Sequence, residues 1–154
     1  MYHFFVEPHQ IGAEEIRIEG ADVNHIRNVL RMKPGEEILI SSREGGDYFC
    51  RVEELEPEYV SAKILEEWEN KELPARIHLF QGLPKGDKME LIIQKAVELG
   101  AYRVVPVSMK RSVVKLDAKK ADAKRKRWNA VSESAAKQSK RSLIPEVAPL
   151  MTYK

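Results

Sequence analysis

The chain is short of cysteine, aromatics and long apolar runs, and each shortage removes a class of protein. Its single cysteine, Cys50, has no partner within the chain, so a disulfide-stapled scaffold is excluded. Cys50 lies in the alternating run Tyr48-Phe49-Cys50-Arg51-Val52, where a small apolar strand residue is expected rather than a reactive thiol. The four histidines, at 3, 9, 25 and 78, are scattered, and no ligand spacing for a metal emerges. No stretch approaches the roughly 18 apolar residues of a membrane span. The N-terminal run Met1-Tyr2-His3-Phe4-Phe5-Val6-Glu7-Pro8 lacks the basic start and apolar core of a signal peptide, so the expectation is a cytoplasmic protein with no membrane partner. No dinucleotide fingerprint is present, and Pro84-Lys85-Gly86-Asp87-Lys88 lacks the GxxxxGK[ST] phosphate loop, which argues against an ATP-dependent enzyme.

What is present suits a folded, polar-surfaced protein: 154 residues, 43% hydrophobic and 32% charged. The net charge of +2 conceals a split. Residues 1–72 carry 8 Lys+Arg against 17 Asp+Glu, a net −9, whereas residues 73–154 carry 18 against 7, a net +11. Clustered cations bind phosphates and release counterions, so the second half points to a polyanion such as nucleic acid. The alternative is a pair of solvated surfaces that attract each other.

The first half reads as mostly β. Strand-like alternation covers Tyr2–Val6, Glu15–Ile18, Glu37–Ser41, Tyr48–Leu55 and Tyr59–Leu65, with Glu44-Gly45-Gly46-Asp47 as a hairpin turn. After Asp22, the residues Val23, Ile26 and Leu30 repeat at helical spacing until Pro34-Gly35, which predicts one short helix capping a small barrel. The polar segment Glu66 to Ala75 reads as a linker, and the boundary is placed near residue 72. Beyond it, Ile77–Gln81 predicts a strand, Asp87–Leu99 a helix and Arg103–Ser108 a second strand, a βαβ unit with a parallel sheet. Met89, Ile92, Ile93, Ala96 and Leu99 form the predicted apolar stripe, Asp87 with Glu90 a capping-box-like start, and Gly100 the stop. A second helix is expected over Asp117–Ser139, with Trp128, Val131, Ala135 and Gln138 on one face, followed by a third strand candidate at Ser142–Val147. Three strands leave a parallel domain unfinished, so completion by another chain or by a longer protein is expected.

Five basic sets are candidates for binding. Lys85 and Lys88 flank a predicted helix N-terminus, where a phosphate or carboxylate could sit, or they are solvated lysines beside a capped helix. Arg27 and Arg31, one helical turn apart beside His25, either grip a phosphate or pair with nearby glutamates. Lys110, Arg111 and Lys115 follow the second strand of the βαβ unit, at the sheet edge where open α/β folds bind ligands. Arg141 ends a helix that leads to a strand, with ordinary capping as its alternative role, and the run Lys124 to Arg127 reads as a solvated helix face or a nucleic-acid contact.

Five ordered segments, "HIRNVLRMKPGEEI", "LPKGDKMELIIQKAVELGAYRVVPV", "KRSVVK", "RW" and "ESAAKQSKRSLIPEV", together resemble the ribosomal RNA small subunit methyltransferase E family. The resemblance covers essentially the whole chain. It implies an α+β architecture in which a PUA-like RNA-binding β-barrel (1–72) precedes the first part of a parallel α/β SPOUT-class methyltransferase domain (73–154). It implies S-adenosylmethionine-dependent methylation of a uridine N3 in 16S ribosomal RNA, without a metal, by a full-length protein expected to be a homodimer acting on that RNA or the small ribosomal subunit. In the family the chain continues beyond the position of Lys154 into the knotted, cofactor-binding region, so this chain is expected to be truncated and inactive, with no cofactor residue assigned in it. The competing expectation is a non-enzymatic RNA-binding module. Within the chain, Arg111 and Arg141 are the catalytic candidates implied, to stabilise charge on the uracil. Arg27, Arg31 and His25 are the RNA contacts expected of the first domain, with Lys85, Lys88, Lys110 and Lys115 extending the basic track.

Overall fold

The structure, a computed structural model, describes residues 1–43, 45–69, 72–110 and 116–153. It divides into two compact units, Met1–Lys71 and Glu72–Lys154.

In the first unit the alternating segments form β1 (Tyr2–Val6), β2 (Glu15–Glu19), β3 (Glu37–Ser42), β4 (Asp47–Leu55) and β5 (Tyr59–Trp68). They join in the order β1-β3-β4-β5-β2, with β1 parallel to β3 and the other pairs antiparallel. One alternating set, which includes Phe4, Ile16, Ile18, Ile38, Ile40 and Val52, is buried with Cys50 in a single core drawn from all five strands. A sheet whose strands all feed one core must curl around it. Two register shifts in β4, at Phe49/Cys50 and Val52/Glu54, add the local twist that curling needs. The open side is filled by Val23, Ile26 and Met32 of the segment between β2 and β3.

That segment departs from the single helix expected. It runs as α1 (Ala21–Asn24), continues as a wider π-type turn over His25–Val29, and ends with Arg31 in the left-handed region at φ 53°. The π-type turn carries one more residue per hydrogen bond than an α-turn, so α-helical spacing fails beyond Asn24.

On the opposite face of the first sheet, His3 Nε2 lies 2.7 Å from Ser41 Oγ, and Ser41 donates to Asp47 Oδ1. All three residues are buried, so hydrogen bonding within this chain of side chains offsets part of their desolvation.

The second unit is the βαβ arrangement expected. Strand β6 (His78–Gly82) lies parallel to β7 (Arg103–Ser108), with α2 (Lys88–Glu98) between them in sequence. Helix α2 ends in a Schellman turn: Gly100, at φ 97°, donates to Val97 O, and Ala101 N donates to Ala96 O. A Cβ at position 100 would lie 2.7 Å from Leu73 Cδ1, the tip of an exposed side chain that can move aside, so it is the positive φ that favours glycine there. The long helix α3 (Ala118–Ser139) is capped by the Asp117 carboxylate, which accepts from Lys120 N at 2.8 Å.

Two stripe assignments need correcting. Helix α2 buries Met89, Ile93 and Val97 while Leu99 is 81% exposed, because Leu99 belongs to the turn rather than the last helical repeat. Helix α3 buries Trp128, Ser132, Ala135 and Ala136, whereas Gln138 faces solvent.

The third strand is shorter than expected and split in two. β8 (Glu146–Val147) and β9 (Met151–Thr152) both pair parallel with β7. Pro145 and Pro149 lack the N–H a continuous ladder would need, and they bracket β8. The amide of Asn129 on α3 takes the place of a strand neighbour: its Oδ1 accepts from Val147 N at 3.0 Å and its Nδ2 donates to Val147 O at 3.1 Å.

Burial raises the Cys50 thiol to about 12, and the residue has no exposed surface. Because the thiolate is the nucleophile, alkylation of Cys50 at pH 8 is expected to be at least about a hundredfold slower in the native protein than in 6 M guanidinium. Mass spectrometry after timed quenching measures the ratio, and equal rates would place Cys50 outside the core.

Candidate nucleic-acid interface

A cation is available to a phosphate only if no acid on the protein has already claimed it, so pairing separates the predicted basic residues. In the first unit, His25 and Arg31 are exposed and Arg27 is half-buried. Neither arginine has an ion-pair or hydrogen-bond partner among the described residues, so of the two alternatives left by the sequence, pairing with nearby glutamates is not the one seen. The ring of His25 packs edge-on to Phe4, with centroids 6.5 Å apart. The expected one-turn spacing of Arg27 and Arg31 on a single helix face does not hold. Arg31 lies past the end of the π-type turn, at its left-handed residue, so a bend of the backbone rather than helical periodicity sets its direction.

In the second unit, Lys85 and Lys88 are exposed and unpaired among the described residues, at the turn that leads from β6 into α2. Gly86 makes that turn at φ 64°. The capping-box expectation fails here. Asp87 occupies the N-cap position but its side chain makes no capping hydrogen bond, and the carboxylate of Glu90 is taken by Arg127 of α3, with Nε 2.6 Å from Oε1 and Nη2 3.2 Å from Oε2. Lys110 is exposed after β7, while Arg111 and Lys115 lie outside the described residues.

The basic run on α3 is largely committed within the protein. Lys126 pairs with Asp122, Arg127 with Glu90, and Arg125 with Glu146 while also donating to Val147 O at 3.1 Å. These are exposed or half-exposed contacts worth little individually, yet they lower the charge free for a polyanion. Lys124 is the exception, with Nζ 6.0 Å from the centroid of the Trp128 ring.

Arg141 is placed differently from the other candidates. It is 9% exposed, and its guanidinium joins three segments. Nε donates to Glu72 Oε1 at 2.8 Å, Nη2 donates to Glu72 Oε2, and Nη1 donates to Val97 O at 2.7 Å and Ala101 O at 3.1 Å. Glu72 Oε1 also accepts from Ser142 N at 2.9 Å. The capping role weighed for Arg141 is therefore present, directed at the carbonyl end of α2 rather than at its own helix. With most of its N–H groups so engaged, Arg141 holds the second unit together. Sequence reasoning missed Glu72 and Asn129 as organisers of this unit. Glu72 is one of four glutamates in the linker segment Glu66 to Ala75, and its partner is distant in sequence, so nothing local singled it out.

The parallel sheet also borders a groove of about 370 Å³, with Phe80, Val105, Leu150 and Met151 among its walls and His78 and Arg103 as its ionisable members. No acid lines this groove.

Residues 71–154 match the family model described as an RNA methyltransferase domain, and residues 18–65 match an RNA methyltransferase PUA domain. The chain is 42% identical over 158 residues to a ribosomal RNA small subunit methyltransferase E of Bacillus subtilis (strain 168), covering 99% of this chain and 61% of that protein. It is 32% identical to the protein of the same name from Mycobacterium tuberculosis (strain CDC 1551 / Oshkosh), covering 84% of this chain and 50% of the relative. The solved ribosomal RNA small subunit methyltransferase E from Neisseria gonorrhoeae, bound to S-adenosyl methionine, superposes with a TM-score of 0.84 at 34% identity, over 99% of this chain and 63% of that one. The chain thus spans about three fifths or less of the length of these relatives.

The Arg141 cluster yields a stability prediction. Glu72→Ala leaves a buried guanidinium without its counter-charge and should cost about 3–5 kcal/mol in urea unfolding of the second unit. Arg141→Lys should recover only a small part of the Arg141→Ala loss, since an ammonium cannot span the carboxylate and two carbonyls. A loss below about 1 kcal/mol for Glu72→Ala would show that the cluster is not what secures the unit.

Proposed function

This chain belongs to the RNA methyltransferase family, and we propose that it serves an S-adenosylmethionine-dependent enzyme that methylates N3 of a uridine in 16S ribosomal RNA. In this reading residues 1–72 are the PUA-like RNA-binding domain and residues 73–154 are the leading part of a SPOUT-class domain. The full-length protein is a cytoplasmic homodimer acting on the RNA or on the small ribosomal subunit. The observation that carries the RNA side is the contrast in pairing. Arg27, Arg31, Lys85, Lys88 and Lys110 have no acid partner among the described residues, while most of the α3 run does.

The cofactor, when bound, supplies an electrophilic methyl group on sulfur. The residues of this chain bind and orient the RNA. Phosphate contacts fix the register of the strand, and a base held in a defined orientation converts an encounter into a productive geometry. Arg27 and Arg31 carry the capture step, with His25 beside them, and Lys85, Lys88 and Lys110 are phosphate contacts of the second domain. Arg111 and Lys115 belong to the same reading as the catalytic-candidate and RNA-contact residues following β7. Arg141 enters it as a positioning residue, because its N–H groups serve Glu72 and α2.

Binding to a 16S ribosomal RNA fragment, titrated by fluorescence anisotropy across a salt series, tests the RNA reading. Arg27→Ala with Arg31→Ala should weaken binding and reduce the slope of log K against log salt by about 1–2, one released counterion set per lost contact. An unchanged slope would remove both residues from the phosphate contacts. Calorimetry with S-adenosylmethionine should show no micromolar binding to this chain alone if the cofactor is held by the knotted region that the family resemblance implies. Micromolar binding would assign the cofactor site to residues 72–154 and overturn that part of the reading.

A further inference from the structure

The cleft between the β6–α2 turn and α3 holds about 180 Å³. Its apolar floor is built from the edges of Leu83, Met89 and Trp128, all of them buried. Two charged side chains line the same cleft: Asp87 from the turn and Lys124 from α3. They form no salt bridge with each other, and neither has an ion-pair or hydrogen-bond partner among the described residues. An acid and a base that share a cleft without meeting leave room for a group that gives a proton to one and accepts from the other. Asp87 is available for this because it does not cap α2, although it stands at the N-cap position.

We propose that this cleft reads a uracil ring of the RNA, with the Asp87 carboxylate accepting the N3–H and the Lys124 ammonium donating to a neighbouring ring carbonyl. The inference rests on the uridine-N3 reading above and deepens it by naming residues that recognise the base. Uracil carries one imide N–H between two carbonyl oxygens, so donor and acceptor lie side by side on one edge. That edge suits a carboxylate and an ammonium that line one cleft, with the ring lying over the cleft's apolar floor. Lys85 and Lys88, exposed at the mouth of the same turn, suit the flanking phosphates. A methyl on N3 removes the only proton the carboxylate can accept and puts bulk in its place. The cleft therefore favours substrate over product, and methylation weakens the hold on the RNA.

The test compares two short oligoadenylates, one with a single central uridine and one with N3-methyluridine at that position, by competition against a labelled uridine oligonucleotide. The wild-type chain should bind the uridine form about tenfold more tightly, the discrimination of roughly one good polar pair. Asp87→Ala should bring the ratio near one while the thermal midpoint stays unchanged, because the carboxylate makes no cap bond. Lys124→Met should weaken uridine binding and reduce the ratio. If the chain binds both oligonucleotides equally, or Asp87→Ala keeps the tenfold ratio, the uracil assignment fails while RNA binding stands. If neither oligonucleotide nor a 16S fragment binds, the RNA reading fails and takes this assignment with it.

Discussion

A helix that ends inside a protein leaves carbonyl oxygens without partners, and the second unit depends on how that need is met at α2. Arg141 meets it. Its guanidinium donates to Val97 O and Ala101 O and is neutralised by Glu72, whose second role is to accept from Ser142 N. One planar cation thus fixes the start of the unit, the turn from α2 into β7 and the exit from α3. The Schellman turn at Gly100 can then place Ala101 within reach of the guanidinium, and β7 follows at the depth where Val104 and Val105 are buried. The free lysines of the β6–α2 turn are presented by a helix whose other end is tied down.

Much of this was legible along the chain because strand period and helix period are local properties. Alternation located all five strands of the first unit within a few residues, since one face of each feeds a single core. Resemblance and composition together gave the α+β order of a curled sheet followed by a parallel one. The errors fall where backbone departs from either period. The segment after Asn24 widens into a π-type turn, so counting in steps of 3.6 misplaced Arg31. Leu99 reads as the last member of a stripe until the helix is seen to stop one residue earlier. Pro145 and Pro149 were visible, but their effect on β8 required knowing that Asn129 would stand in for a neighbouring strand.

The site was legible in kind but not in commitment. A lysine in sequence has no visible partner, and the partners that matter are distant: Glu90 lies 37 residues from Arg127, and Glu72 lies 69 residues from Arg141. Distance of that order leaves no periodic trace. Proximity in sequence misled in the other direction, because Asp87 and Glu90 have the spacing of a capping box and yet one faces a cleft while the other holds α3. Fold follows from repeated weak preferences, whereas a site depends on single contacts that no repetition announces.

The strand order of the first unit also has a consequence in time. β1 pairs with β3, and β2 finds its partner only in β5, forty or more residues later, so neither of the first two strands can be completed by its sequence neighbour. Loop closure must be met before those pairings contribute, which slows folding relative to a chain of hairpins. On a ribosome β1 would wait for β3 and β2 would wait unpaired until Tyr59–Trp68 emerged, and the β3–β4–β5 meander is the part joined by sequence neighbours. The early chain therefore carries an exposed strand edge until β5 is made, and the acidic residues concentrated in this half supply the mutual repulsion that keeps nascent copies apart.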